Sequence, residues 1–153
     1  MVNLVFPLVL LTNGLAAGGL MIAVLGGAPL LLSLPVDRYV PVHQFLVTRF
    51  DPFMPVNLVS ALLLDAVLAV LVPDTTVSVL TGTACVFLVV TMTISLAKNV
   101  PINRWVATLD RDSLPDNWAE IDPRVKWRNW NAVRAAFGVA AFVLNVTAAG
   151  FLL

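Results

Sequence analysis

Long apolar stretches separated by short polar segments dominate this chain. Four such stretches can be drawn, and they span residues 3–34, 54–72, 75–97 and 132–153. Each is long enough for the about 20 residues that an α-helix needs to cross a bilayer. The pattern therefore predicts an all-α integral membrane protein, in which residues 1–153 form a single domain and four spanning helices pack as a bundle.

The positive charges indicate which helix ends face the cytosol. All nine Lys and Arg residues fall in the first and third gaps between the apolar stretches, or in the helical turns beside them. Short loops that are rich in Lys and Arg stay in the cytosol. We therefore expect residues 37–53 and 98–131 inside, both termini outside, and the cell membrane as the location. The second gap, Val72 to Thr75, carries no positive charge and predicts a tight outer turn between antiparallel helices.

The two cytosolic gaps carry helical patterns of their own. The first predicts a short interfacial helix over Pro41 to Phe50, with proline at its first position and Pro52 at its end. The third gap, between spans three and four, has apolar residues at helical spacing from Val100 to Leu109, which predicts a short amphipathic helix on the headgroups. After a loop, the helical pattern resumes at Asp122 and runs into the fourth span, so the last helix begins in water.

The first span is long and rich in glycine. Because no basic residue precedes it and its apolar run exceeds that of a signal peptide, we expect a retained helix. Gly14 and Gly18 form a G-x-x-x-G pair, which allows another helix to approach closely. That helix belongs either to the same bundle or to a second copy, so a homo-oligomer stays open. A bend or an early end is expected near Gly26 to Pro29.

Composition agrees with a membrane protein and argues against several functions. Hydrophobic residues make up 59% of the chain and charged residues 12%, against about a quarter charged in soluble domains. A net charge of zero, with both signs mixed in the third gap, provides no basic stripe for nucleic acid. One His and one Cys leave no ligand set for a redox metal, and a phosphate-binding glycine loop is absent. We therefore expect membrane lipid as the surroundings, no nucleic-acid partner, no metal and no cofactor.

Several polar side chains converge at the predicted cytosolic boundary. Trp127, Asn131 and Arg134 are spaced i, i+4, i+7 and share one face of the last helix. The end of the third span brings Asn99 and Asn103 to the same depth. We expect the guanidinium to face these amides rather than lipid. The alternative is an interfacial tryptophan beside an arginine that reaches lipid phosphates.

Two further titratable side chains are candidates for function. His43 arrives from the first gap on the same side and is the candidate general base, although a lone histidine in such a loop is commonly only solvated. Asp65 lies near the midplane, with Asn13 and Asn145 at comparable depth. An ionisable residue there either marks a functional site or, hydrogen-bonded to the two amides, holds helices together. The sequence leaves both interpretations open.

The third gap and the last helix together resemble a known family. The motif is Asn-Val-Pro-Ile-Asn at residues 99–103, then Trp118, then Arg-x-x-Trp-x-x-x-Asn-x-x-Arg at residues 124–134. It is similar to that of the small four-helix membrane family that includes the anthrone oxygenases of aromatic polyketide biosynthesis. The motif covers about a quarter of the chain, and it is more specific for the family than for one reaction.

The resemblance implies a membrane-embedded tailoring enzyme, a monooxygenase that oxidises a lipophilic, anthrone-like polyketide with molecular oxygen and without metal or flavin. Such a protein deprotonates an electron-rich phenol and stabilises the anion, and the substrate itself passes an electron to oxygen. Indole rings offer flat surfaces to a polycyclic substrate. The candidate catalytic residues are therefore His43, Arg134 and Asn131, and the candidate substrate-binding residues are Asn99, Asn103, Trp118, Trp127 and Asp65.

Two other functions are compatible with the same residues. The chain is alternatively a non-enzymatic membrane subunit or a small-molecule-binding protein, in which the motif only attaches the loop to the bundle. A transporter or proton pathway around Asp65 ranks last, because four helices without an internal repeat are few for transport. A polyketide synthase encoded next to this chain would favour the enzyme.

Overall fold

The fold is a four-helix bundle that is closed at one end by short helices. The computed structural model describes residues 2–152, apart from the side chain of Asn3. In chain order the α-helices are α1 (Val2–Ile22), α2 (Ala28–Ser33), α3 (Val36–Phe50), α4 (Phe53–Leu71), α5 (Thr75–Ile94), α6 (Val100–Ala107), α7 (Trp118–Ile121) and α8 (Arg124–Gly150). Two π-helical turns, Ala23–Gly27 and Ser95–Asn99, connect α1 to α2 and α5 to α6.

Four helical segments are long and apolar enough to cross a membrane. They are Leu4–Ser33, Val36–Leu71, Thr75–Ala107 and Trp118–Gly150, with lengths of 30 to 36 residues. The predicted all-α class, with four helices suited to cross a membrane, is confirmed. The orientation of these spans stays a prediction, and the predicted end of the fourth span at residue 153 lies outside the described residues.

The long helices α1, α4, α5 and α8 form the bundle. α1 packs against α4 and α8, and α5 packs against the same two helices. Small side chains in the middle of the bundle let the backbones approach closely, among them Ala16, Ala61, Ala84 and Ala141. The predicted tight turn between α4 and α5 is confirmed, and Asp74 caps α5 by accepting a hydrogen bond from the Val77 N–H at 2.9 Å.

Short helices build a cap over one end of the bundle, and we use "the cap" for α2, α3, α6 and α7. Their apolar faces meet around Tyr39, Val106 and Trp127. The Gln44 side chain donates to the backbone carbonyls of Val106 and Leu109 at 3.0 and 3.1 Å, which ties α3 to the end of α6. The two gaps that carry the positive charges therefore lie at the same end of the molecule, as the predicted topology requires.

Three predicted helix boundaries were wrong by a few residues, two of them in the cap and one at the start of the last helix. α3 begins at Val36 rather than Pro41, because extended Pro35 already serves as its N-cap and the ring of Pro41 fits inside the helix. The helix predicted to end at Leu109 ends at Ala107. It also continues α5 through a π turn instead of forming a separate surface helix.

The last helix begins at Arg124, two residues after the predicted Asp122 cap. The Asp122 carboxylate nevertheless accepts a hydrogen bond from the Arg124 backbone N–H at 3.0 Å. The irregularity expected near Gly26 to Pro29 is present as the π turn Ala23–Gly27. Its extra residue changes which faces of α1 and α2 point inward.

Of the two glycines in the G-x-x-x-G pair, Gly14 lies at a close contact between helices of the bundle. A Cβ added at Gly14 would lie 3.4 Å from the Phe142 ring on α8. A Cβ at Gly18 would meet no atom of the described residues within 4 Å. The internal packing expected of this pair is thus present at Gly14, and a homo-oligomer stays a prediction.

Candidate functional site

A cavity of about 440 Å³ lies beneath the cap, where α1, α3, α4, α5 and α8 meet. This volume is in the range of small-molecule sites, which is about 300–1,000 Å³. Its wall is mostly apolar and includes Ile22, Leu30, Leu46, Phe50, Met54, Leu58, Val59, Met92 and Leu96. Its polar lining residues are Asp51, Ser95, Asn103, Trp127 and Arg134. Of the predicted site residues, the structure therefore brings Asn103, Trp127 and Arg134 to one cavity.

Arg134 places a guanidinium in this apolar wall. Its Nε and Nη2 donate to Asn131 Oδ1 at 3.0 and 2.6 Å, and its Nη1 donates to Ser95 Oγ at 3.1 Å. Within residues 2–152, no carboxylate oxygen lies within 4.0 Å of the guanidinium. A guanidinium has five N–H donors, so two remain for a ligand. An unpaired cation in apolar surroundings favours an anionic ligand.

Asn131 holds the guanidinium in place. Its Nδ2 donates to the Trp127 backbone carbonyl at 2.8 Å, one turn earlier in α8. The amide oxygen is thereby directed at Arg134. Asn131 is fully buried and is not among the residues that line the cavity. Asn131 and Arg134 point into the protein as predicted, but Arg134 bonds to Asn131 and Ser95 rather than to the expected Asn99 and Asn103. The structure gives Asn131 a positioning role.

Two donors determine how the Asn103 amide is oriented. Trp127 Nε1 donates to Asn103 Oδ1 at 2.8 Å, and His43 Nε2 lies 3.1 Å from the same oxygen. Because an indole N–H can only donate, the atom that faces it must be the carbonyl oxygen. The amide nitrogen then points away from both partners and makes no hydrogen bond to the described residues. Asn103 therefore offers its two N–H groups to a ligand in the cavity that it lines.

His43 is buried behind Asn103 and Trp127. Its Nε2 carries the hydrogen that it donates to Asn103, and its Nδ1 accepts from the Tyr39 hydroxyl at 2.9 Å. For a neutral imidazole, these two bonds define the tautomer, with the hydrogen on Nε2. The side chain is 1% exposed and is not among the cavity-lining residues. The structure thus brings His43 to the site, as predicted, but in a place where it orients Asn103.

Comparison with known proteins decides the family. A sequence profile of the anthrone oxygenase family matches residues 45–144, about two thirds of the chain. The chain belongs to the anthrone oxygenase family. Neither a curated protein nor a solved structure matches it. The matched range contains all the polar residues of the cavity wall and begins just after His43.

Three other residues of the family resemblance make contacts within the cap or between the bundle and its neighbouring segments. Asn99 Nδ2 donates to the Trp127 carbonyl at 3.3 Å, which joins the π turn to α8. Trp118 stacks on Trp105 with ring centroids 6.0 Å apart and planes 16° apart. Arg124 pairs with Asp122 and donates to the Leu34 carbonyl at 2.8 Å. None of the three is among the cavity-lining residues, and substrate contact by Asn99 and Trp118 stays a prediction.

Asp65 belongs to a separate polar cluster inside the bundle. Its carboxylate accepts from Asn13 Nδ2 at 3.3 Å and from Asn145 Nδ2 at 3.1 Å, and all three side chains are buried. The cluster joins α1, α4 and α8, as expected from the similar depths of the three residues within their spans. None of its members is among the residues that line the cavity. This geometry favours the packing interpretation over substrate binding.

Asp51 is a cavity residue that the sequence analysis missed. It directly follows α3 and lines the cavity together with Val47 and Phe50. The signal was present, because these positions are spaced i, i+3, i+4 and share one helical face. The sequence analysis placed Asp51 in the polar gap beside Pro52 and therefore did not count it on this helical face.

Proposed function

We propose that this member of the anthrone oxygenase family is a membrane-embedded, cofactor-independent monooxygenase that oxidises a lipophilic, anthrone-like aromatic compound. The observation that carries the proposal is the unpaired Arg134 guanidinium in the wall of an apolar cavity, beside the free N–H groups of Asn103. A substrate that is flat, apolar and ionised at one oxygen would complement both features. Family membership supports the same reaction class.

The reaction balances without an external reductant. A hydroxyl of the phenol or of the enol form loses its proton, and the anion then reduces dioxygen by one electron. The substrate radical and superoxide join through a new C–O bond, and the protonated peroxide loses water to leave a ketone. The ring methylene gives up two hydrogen atoms, one oxygen atom enters the product, and the other leaves as water.

The protein accelerates this sequence chiefly by stabilising negative charge. Preorganised donors lower the energy of an oxyanion because they need not reorient as charge develops. Arg134 and Asn103 supply these donors, and Trp127 supplies a flat face for the rings. Asn131 holds Arg134, and His43 holds Asn103, through the hydrogen bonds described above.

A lipophilic substrate has a route to the cavity from the bilayer. The lining residues Ile22, Val59 and Leu96 have 59%, 42% and 66% of their surface exposed, respectively. Exposed apolar side chains at the rim favour entry through the side of the bundle rather than from water. A polyketide intermediate with fused aromatic rings suits such a path.

Oxygen uptake by the purified protein tests the proposal. Wild-type protein in detergent should accelerate oxygen uptake by an anthrone, and isotopically labelled dioxygen should place one labelled atom in the quinone. The preparation should be active without stoichiometric metal or flavin. Activity that depends on a bound metal or flavin would refute the cofactor-independent mechanism. Tight anthrone binding without oxygen uptake would favour a small-molecule-binding protein instead.

A further inference from the structure

Among the described residues, the cavity wall contains one carboxylate and one guanidinium. Among the lining residues, Asp51 is the only acidic side chain and Arg134 is the only basic one. The carboxylate accepts no hydrogen bond from residues 2–152, so all of its lone pairs are available. Its charge acts on that of Arg134, although no oxygen approaches the guanidinium within 4.0 Å. The two charged groups therefore line a common cavity without a direct ion pair.

The other titratable candidates are less suited to accept a proton from the cavity. The His43 Nδ1 already accepts from Tyr39, its Nε2 donates to Asn103, and the ring is outside the cavity wall. Asp65 binds two amides in the separate cluster within the bundle. A general base must come within hydrogen-bond reach of the proton that it removes. Among the described residues, Asp51 is the carboxylate that lines the cavity and so can meet a substrate hydroxyl there.

We propose that Asp51 is the catalytic residue that accepts the proton of the substrate hydroxyl, an inference that rests on the oxygenase function proposed above. The substrate O–H bond breaks, the proton forms a new O–H bond on the carboxylate, and the electron pair stays on the substrate oxygen beside Arg134. Asp51 is also partly exposed at the surface of the protein, so it can pass the proton on to water. The cavity thus pairs a proton acceptor with an oxyanion site.

Rescue by an ionised substrate tests this assignment. Rates of Asp51→Asn would be measured with a hydroxyanthrone from below to above the pKa of its hydroxyl, with the uncatalysed rate subtracted. Loss of a general base typically costs about 100- to 10,000-fold. We expect a loss of that size while the substrate is protonated and a return toward the wild-type rate once it is ionised. Asp51→Glu, which keeps the carboxylate, should retain much of the activity.

Two controls separate this role from others. Asp37→Asn removes an exposed carboxylate from α3, the helix that Asp51 follows, and should leave the rate unchanged. Arg134→Gln removes the oxyanion site and should stay slow with both forms of the substrate. A wild-type rate in Asp51→Asn, or a loss that ionised substrate does not rescue, would overturn the inference while leaving the oxygenase function intact. Absence of turnover by the wild type would instead refute the proposed function.

Discussion

At the residue scale, the site depends on two asparagine side chains whose amide nitrogen and amide oxygen have different partners. Asn131 uses its nitrogen to bind its own helix and its oxygen to hold Arg134. Asn103 uses its oxygen to accept from Trp127 and His43, which leaves its nitrogen for the cavity. Because an amide has a donor end and an acceptor end, each of these bonds determines what the other end can do. An aspartate or a leucine at either position would lose that property.

Arg134→Gln should lower the oxygenase rate by about 100- to 1,000-fold, the usual cost of losing an oxyanion donor. The substitution removes the cation but leaves a polar, uncharged side chain that is two bonds shorter. Arg128→Gln is the matched control, because Arg128 lies on the same helix, is exposed, and bonds only to Asn129 among the described residues. Oxygen uptake with an anthrone measures both variants. Equal rates in the two variants would remove Arg134 from the mechanism.

At the element scale, the two π turns place polar residues where a regular helix would not. The turn Ser95–Asn99 lies between α5 and α6, and Ser95, Asn99 and Asn103 follow one another along the face that meets α8. A π turn inserts an extra residue and rotates everything that follows. Hydrophobic periodicity carries no signal for it, so the expected helix over Val100 to Leu109 was drawn as a separate element.

Close packing of α8 against its neighbours depends on a glycine. A Cβ at Gly138 would lie 2.5 Å from Leu20 Cδ1 and 3.9 Å from Thr91, and all three residues are buried. Gly138→Ala should therefore destabilise the bundle by about 1–3 kcal/mol, the usual cost of overpacking. Gly82→Ala is the control, because a Cβ there meets nothing within 4 Å and alanine favours the helix by up to about 1 kcal/mol.

Thermal unfolding in one detergent would compare these two glycine variants with the wild type. We expect a lower midpoint for Gly138→Ala and an unchanged or higher midpoint for Gly82→Ala. A Gly138→Ala variant as stable as the wild type would mean that Leu20 can move aside without cost.

At the scale of the whole molecule, charge and packing agree on one end of the bundle. Within the cap, α3 packs against α6. The basic residues of both gaps belong to this end of the bundle. The cavity with Arg134 lies directly beneath it. If the cap faces the cytosol, a substrate made there needs to travel only a short distance into the inner leaflet.

Cysteine labelling tests that orientation. The chain has one cysteine, so Cys85→Ala provides a background without thiols. On intact cells, a membrane-impermeant thiol reagent should label Thr76→Cys in the first turn of α5, and should label Ser113→Cys in the loop after α6 only when the membrane is permeabilised. Both positions are exposed, so access decides the result. The opposite pattern would invert the topology.

The sequence by itself determined the fold class, the number of spans and the family. A bilayer forces each spanning segment to satisfy its own backbone hydrogen bonds, so length and apolar composition suffice to find such helices. The spacing within α8 also placed Trp127, Asn131 and Arg134 on one face, since helical geometry alone dictates that relation.

Only the tertiary structure decided which of these polar groups share a cavity. It placed His43 behind the wall and brought Asn103, Arg134 and Asp51 to the wall of one cavity. These residues come from different helices, and the rotation of each helix depends on packing, on the π turns and on the point where α3 begins. Local sequence patterns do not contain those rotations, because they follow from how side chains on separate helices interlock.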